Sequence, residues 1–147
     1  MAIAVLAAAG CDDDLGSITA FAPGTAQMAF NLAGPTHITF KTDLEIEASE
    51  RLEDALGAFE YTIEAHQRDR VVATARCDPL RLGSSFSRSR RPSANRIGSF
   101  RHSVTKAVLV GCALDVPSGG PTTLRILLAK HGQPKVNLIH LELVAQR

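Results

Sequence analysis

The chain predicts an all-β fold, an antiparallel β-sandwich or jelly-roll-like domain of seven or eight strands. Three observations lead there. Apolar and polar residues alternate with period two through most of residues 26–147, which is the pattern of strands wetted on one face. Polar or Pro/Gly turn signals recur at short intervals, at residues 67–70, 117–121 and 131–135. One sheet would leave so many apolar faces uncovered, whereas two packed sheets bury them. A closed barrel is the alternative. With 147 residues, 45% of them apolar, the chain fits one domain with a real core.

The elements follow in order. Residues 1–10 are apolar and small, and residues 11–25, rich in Asp, Gly, Ser, Thr and Ala, read as a flexible tether with a reach of roughly 20 Å. A short strand within it, over 17–22, is the other reading. The β-sandwich domain is expected over 26–147. Its clearest strand is Thr36 to Ala48, with Ile38, Phe40, Leu44, Ile46 and Ala48 on one face and Thr42 as the only polar residue among them. Residues 49–57 predict a short helix or a loop. As a helix it takes Ser49 as N-cap, Leu52, Ala55 and Leu56 as inner face, and Gly57 as stop. Phe59 to His66 and Val71 to Cys77 alternate around a polar turn and predict a hairpin. Strands over 104–116, 122–130 and 136–145 complete the chain. In the first, Val108, Val110, Cys112 and Leu114 share the buried face. In the last, Ile139, Leu141, Leu143 and Ala145 do so.

Residues 78–103 break the pattern. They contain Pro79, Gly83, Pro92 and Gly98, many Ser, and six Arg at 81, 88, 90, 91, 96 and 101. The segment predicts a long basic loop, and such a loop in a small domain is functional or disordered.

The N-terminus carries a resemblance. Residues 1–8 are apolar, Ala9-Gly10-Cys11 follows, and Asp12-Asp13-Asp14 ends the stretch. This resembles a bacterial lipoprotein signal, in which a Cys after small residues is lipidated and becomes the new N-terminus. It implies lipidation at Cys11, removal of the signal-peptide-like residues 1–10, and a membrane-anchored place in the cell envelope, on the periplasmic side or the cell surface. Taken by composition alone, the same stretch is an apolar first strand or a disordered tail. The chain has three cysteines. Use of Cys11 for a lipid leaves Cys77 and Cys112, each placed by alternation on a buried face. In an oxidising compartment this pair forms a disulfide; otherwise the two are buried free thiols.

Charge is strongly divided. Residues 12–69 carry twelve acids and three bases, a net −9, and residues 70–147 carry thirteen bases and three acids, a net +10. The two halves attract within one fold or form faces of opposite sign. Arg88, Arg90, Arg91, Arg96 and Arg101 offer guanidinium forks to phosphate or carboxylate groups. An anionic lipid, an acidic polysaccharide or an acidic protein are the matching partners. The bland reading is a solvated loop neutralised by the acidic half. Nucleic acid is not expected, because the chain reads as exported. With no Trp and one Tyr, stacking platforms for sugars or single-stranded nucleic acid are disfavoured.

Catalytic signals are weak. Glu45 and Glu47 are near the shortest separation for an inverting glycosidase pair at ~6.6 Å along a strand, but they belong to a solvated polar row. His37, His66, His102, His131 and His140 share no metal-ligand spacing, and no nucleophile motif is present. No cofactor or metal is expected. The function expected is a non-catalytic binding or structural module. A small hydrolase with a site assembled from separated strands is the alternative, and a cytosolic or viral β-sandwich another.

Overall fold

The computed structural model describes residues 2–3, 14–20, 22–49, 51–83, 86–94, 96–132 and 135–147. Ten strand segments, numbered along the chain, form two five-stranded sheets within these residues. One sheet runs β1 (Ala2–Ile3), β3 (Gly24–Leu32), β9 (Gly120–Lys130), β5 (Phe59–Gln67), β6 (Arg70–Cys77). The other runs β2 (Asp14–Ala20), β10 (Asn137–Gln146), β4 (Thr36–Ala48), β8 (Phe100–Val116), β7 (Ser87–Pro92). All neighbours are antiparallel except β1 on β3.

The expected sandwich is therefore present. Its core lies between the sheets. Ile38, Phe40, Leu44 and Ile46 of β4 and Leu141 and Leu143 of β10 come from one side. Tyr61 and Ile63 of β5 and Leu124 and Ile126 of β9 come from the other, and all ten are at most 3% exposed. Each such aliphatic or aromatic burial stabilises the fold by about 1.5–3 kcal/mol. Thr42 sits in the same buried row and donates its hydroxyl to the Glu142 carbonyl at 2.9 Å, which removes the cost of an unpaired polar group.

Several expectations are corrected. The segment expected as a tether holds a strand, because Gly16, Ile18 and Ala20 are buried in β2 against β10. The long loop expected over 78–103 holds β7 and the start of β8. The expected short helix is a single 3-10 turn, Leu52–Ala55, with Arg51 rather than Ser49 at its cap and no side-chain cap bond. Leu52 and Ala55 are buried as expected, but Leu56 is exposed. Gly57, at φ +83°, ends the turn in a conformation that favours glycine.

Strand phase shifts where bulges intervene. In β8 the buried residues are Val104, Ala107, Leu109, Cys112 and Leu114, while Val108 and Val110 are exposed. The β4 partners explain this, since Leu44 pairs Val104 but Thr42 pairs Ala107. One extra residue has entered at Lys106, whose φ is +56° and whose N–H donates to Asp43 Oδ1 at 2.5 Å. Gly111, at φ +71°, restores the phase so that Cys112 turns inward. Bulges at Ala65/His66 and at Leu138/His140 act alike, leaving Val71 exposed and Ile139 only half-buried. An extra residue in one strand flips every following side chain.

Cys77 and Cys112 are disulfide-bonded, with Cα atoms 5.4 Å apart. The bridge ties β6 of one sheet to β8 of the other, so these are not free thiols. Cys11 lies outside the described residues.

Candidate functional site: the arginine edge

β7 is an edge strand, and all of Ser87-Arg-Ser-Arg-Arg-Pro92 is exposed. Arginines and a proline on such an edge discourage pairing with another chain. Directly paired residues of neighbouring strands share a face, so the register places each arginine. Arg88 is opposite Val104 and Arg90 opposite His102, both buried. Arg88 and Arg90 therefore stand on the face turned toward the other sheet. Arg91 is opposite Arg101 on the outer face.

The inner face opens a cleft of about 570 Å³ against the 3-10 turn, lined by Arg51, Leu52, Glu53, Arg88, Arg90 and His102 among others. Arg88 Nη1 donates to Glu53 Oε1 at 3.4 Å. The Glu53 carboxyl is held below its ordinary value by its own backbone N–H, then by Arg88 and Arg51. The Arg90 guanidinium lies over the Phe100 ring, 4.9 Å from its centroid, a cation–π contact that orients the fork. His102 Nε2 lies 2.8 Å from the Ser49 carbonyl oxygen. A carbonyl only accepts, so this nitrogen carries the proton.

The outer face is arranged differently. Arg101 Nε is 3.2 Å from Glu45 Oε1, and Glu47, buried, accepts from Ser93 Oγ at 2.7 Å. Arg96 Nη1 donates to the Lys135 carbonyl at 3.2 Å, tying the β7–β8 connection to the turn before β10. The five arginines singled out from the sequence are thus divided. Arg88 and Arg90 share the inner cleft, Arg91 and Arg101 the outer face, and Arg96 the connection. The cleft also draws in Arg51, which sequence reasoning missed. It lies in a separate turn with no local motif, so only the packing of that turn against β7 identifies it.

A second cleft of about 240 Å³ adjoins the disulfide. Glu60, Arg76, His131 and Asp78 in its lining are engaged. Arg76 Nη2 donates to Glu60 Oε1 at 2.7 Å, and His131 Nε2 is 3.9 Å from the same oxygen. Asp78 accepts from the backbone N–H of Gly57 and Leu80 at 2.7 and 2.8 Å. The Glu45 and Glu47 carboxylates are committed to Arg101 and Ser93, as above. Among the described residues no cluster of three or more His, Cys, Asp or Glu could hold a metal ion. His102 has no hydrogen bond to a serine hydroxyl there, its partner being Ser49 O.

No family model, no curated protein and no solved structure shows significant similarity to the chain. Among the described residues no helix is long and apolar enough to cross a membrane.

Proposed function

We propose that the protein is a non-catalytic cell-envelope lipoprotein, anchored through Cys11, whose β-sandwich is a binding or structural module that contacts polyanions along β7. The lipoprotein-like Ala9-Gly10-Cys11 supports the anchor, and a Cys77–Cys112 bridge agrees with an oxidising compartment. The observation that carries the contact is β7 itself, an edge strand exposed throughout, with Arg88 and Arg90 on one face and Arg91 on the other. Guanidinium forks there meet phosphate or carboxylate groups of an anionic lipid surface, an acidic polysaccharide or an acidic protein.

Mass spectrometry of the membrane fraction should find an acylated N-terminal Cys11, and an intact Met1 on a soluble species would end the anchor. Anionic vesicles and acidic polysaccharide, assayed separately, should bind less well as salt rises, because exposed charges are screened over ~10 Å at 0.1 M. Replacing Arg88, Arg90 and Arg91 together by Ser should weaken binding with little change in melting temperature, since surface charges contribute little to stability. Binding indifferent to both salt and the triple substitution would remove β7 as the contact.

A further inference from the structure

We infer that the inner cleft is a site for a compact phosphate monoester group, and that Glu53 occupies the place of that group until it binds. The inference rests on the reading of β7 as an anion-contacting strand and narrows it to one face and one chemistry. Arg88 lines the cleft from the edge strand and Arg51 from the cap of the 3-10 turn, so two arginines contribute to it from separate elements. Between them stands Glu53, the one carboxylate among the described residues of the lining, which bonds its own backbone N–H and meets Arg88 at a long 3.4 Å. Both partners are more than half exposed, so the contact is weak and exchangeable. Leu52 and Val104 give the cleft an apolar floor, and Phe100 holds Arg90 at its wall.

The charge of the site selects the ligand. A carboxylate offers two oxygens and one charge, which Glu53 already provides. A phosphate monoester brings about −1.5 to −2 charge and three acceptor oxygens, enough to accept from both arginines at once. It therefore displaces Glu53 from Arg88 and gains Arg51. On the outer face Arg101 is held by Glu45 in a shorter and less exposed contact of 3.2 Å, and in the connection Arg96 is held by a backbone carbonyl, so both are less readily exchanged.

The test uses the purified full chain with glycerol 3-phosphate as probe, followed by amide chemical shifts at constant ionic strength. Acetate serves as the carboxylate comparison, and vesicles with phosphatidic acid distinguish a lipid headgroup from a free phosphate ester. Shifts should concentrate at Arg51–Glu53, Arg88–Arg90 and His102. Arg51→Gln and Arg88→Gln should each weaken glycerol 3-phosphate about tenfold, the size expected for a lost charge-assisted hydrogen bond. Glu53→Gln should tighten it, because the resident competitor is gone, while Arg96→Gln leaves it unchanged. These side chains are exposed, and an unchanged melting temperature confirms that each variant is folded. Acetate binding as tightly as glycerol 3-phosphate, or weaker binding in Glu53→Gln, overturns the inference. Salt-sensitive vesicle binding that is lost in the β7 triple variant but indifferent to Arg51→Gln and Glu53→Gln would overturn it while leaving the polyanion reading intact. Absence of any salt-sensitive binding would remove both.

Discussion

The sandwich has two open sides, and it closes them by different means. On one side β6 and β8 are joined by Cys77–Cys112, and the chain leaving β6 crosses to the other sheet. There Leu82 bridges Leu109, Gly83 N–H donates to Val108 O at 2.8 Å, and Val110 N–H donates to Arg81 O at 2.9 Å. On the other side β2 faces β3 through small apolar residues. Ala20 and Ala26 are buried, and a Cβ added to Gly16 would meet Met28 Sδ at 3.4 Å. A small hollow there is lined by Ile18, Ala20, Ala22, Ala26, Ile126 and Leu128. Tyr61 also lines it, fully buried, with a hydroxyl that has no hydrogen-bond partner among the described residues. The clamped side is thus covalent and polar, and it carries the arginine edge. Among the described residues, the opposite side is closed by close apolar contact. Local stability follows such differences in linkage and packing, so the two sides respond to different perturbations.

The largest effect should come from the clamp. Cys77→Ala with Cys112→Ala should cost about 2–5 kcal/mol, the usual range for a native disulfide in a small domain, measured by urea unfolding. In hydrogen exchange β6 should lose protection before β2 and β3. Equal loss on both sides would break the comparison. Overpacking the other side comes next. Ala20→Leu should cost about 1–3 kcal/mol, because a larger side chain strains a filled interface. A neutral result would show that the β2–β3 side has slack.

Tyr61→Phe should be neutral or stabilise by up to about 1 kcal/mol, since it deletes a buried hydroxyl with no partner among the described residues. Burial also pushes the Tyr61 phenol well above its ordinary 10.0. A folded-state value raised in this way gives stability that is full below pH 10.0 and lost as pH rises beyond it. Tyr61→Phe should therefore flatten the alkaline limb of the melting curve, and a steep limb in the variant would assign it to other groups. The smallest effect belongs to Glu60 on the clamped side, whose carboxyl is lowered by its hydrogen bond from Arg76. A lowered value means the contribution is full above the ordinary 4.5 and fades as pH falls through the folded-state value. Glu60→Gln should remove a slight acid-side slope, and an unchanged slope would show that solvent screens the pair completely.

How legible each region was depended on whether its signal was local. The alternation of Thr36 to Ala48 needed no partner to be read, because burial of one face imposes period two on the sequence. The Cys77–Cys112 bridge agrees with the expectation reached by setting Cys11 aside for a lipid, although the alternation proposed for Val71, Val108 and Val110 did not survive the bulges. A bulge depends on a partner strand, and nothing within residues 104–116 announces that Asp43 will hold the Lys106 N–H. The arginines were visible as a basic run, but not their division between two faces. That division follows from the pairing of β7 with β8, residue against residue.

By itself the sequence determined the class of fold and the main strands, because periodicity and half-buried strands are properties of short stretches of chain. Tertiary structure alone decided that β2 and β7 form the two edges of one sheet, that bulges turn Val108 and Val110 outward, and that Arg51 joins Arg88 in one cleft. Those outcomes depend on contacts between residues tens of positions apart, where register and sheet packing, not local pattern, set which side chains meet.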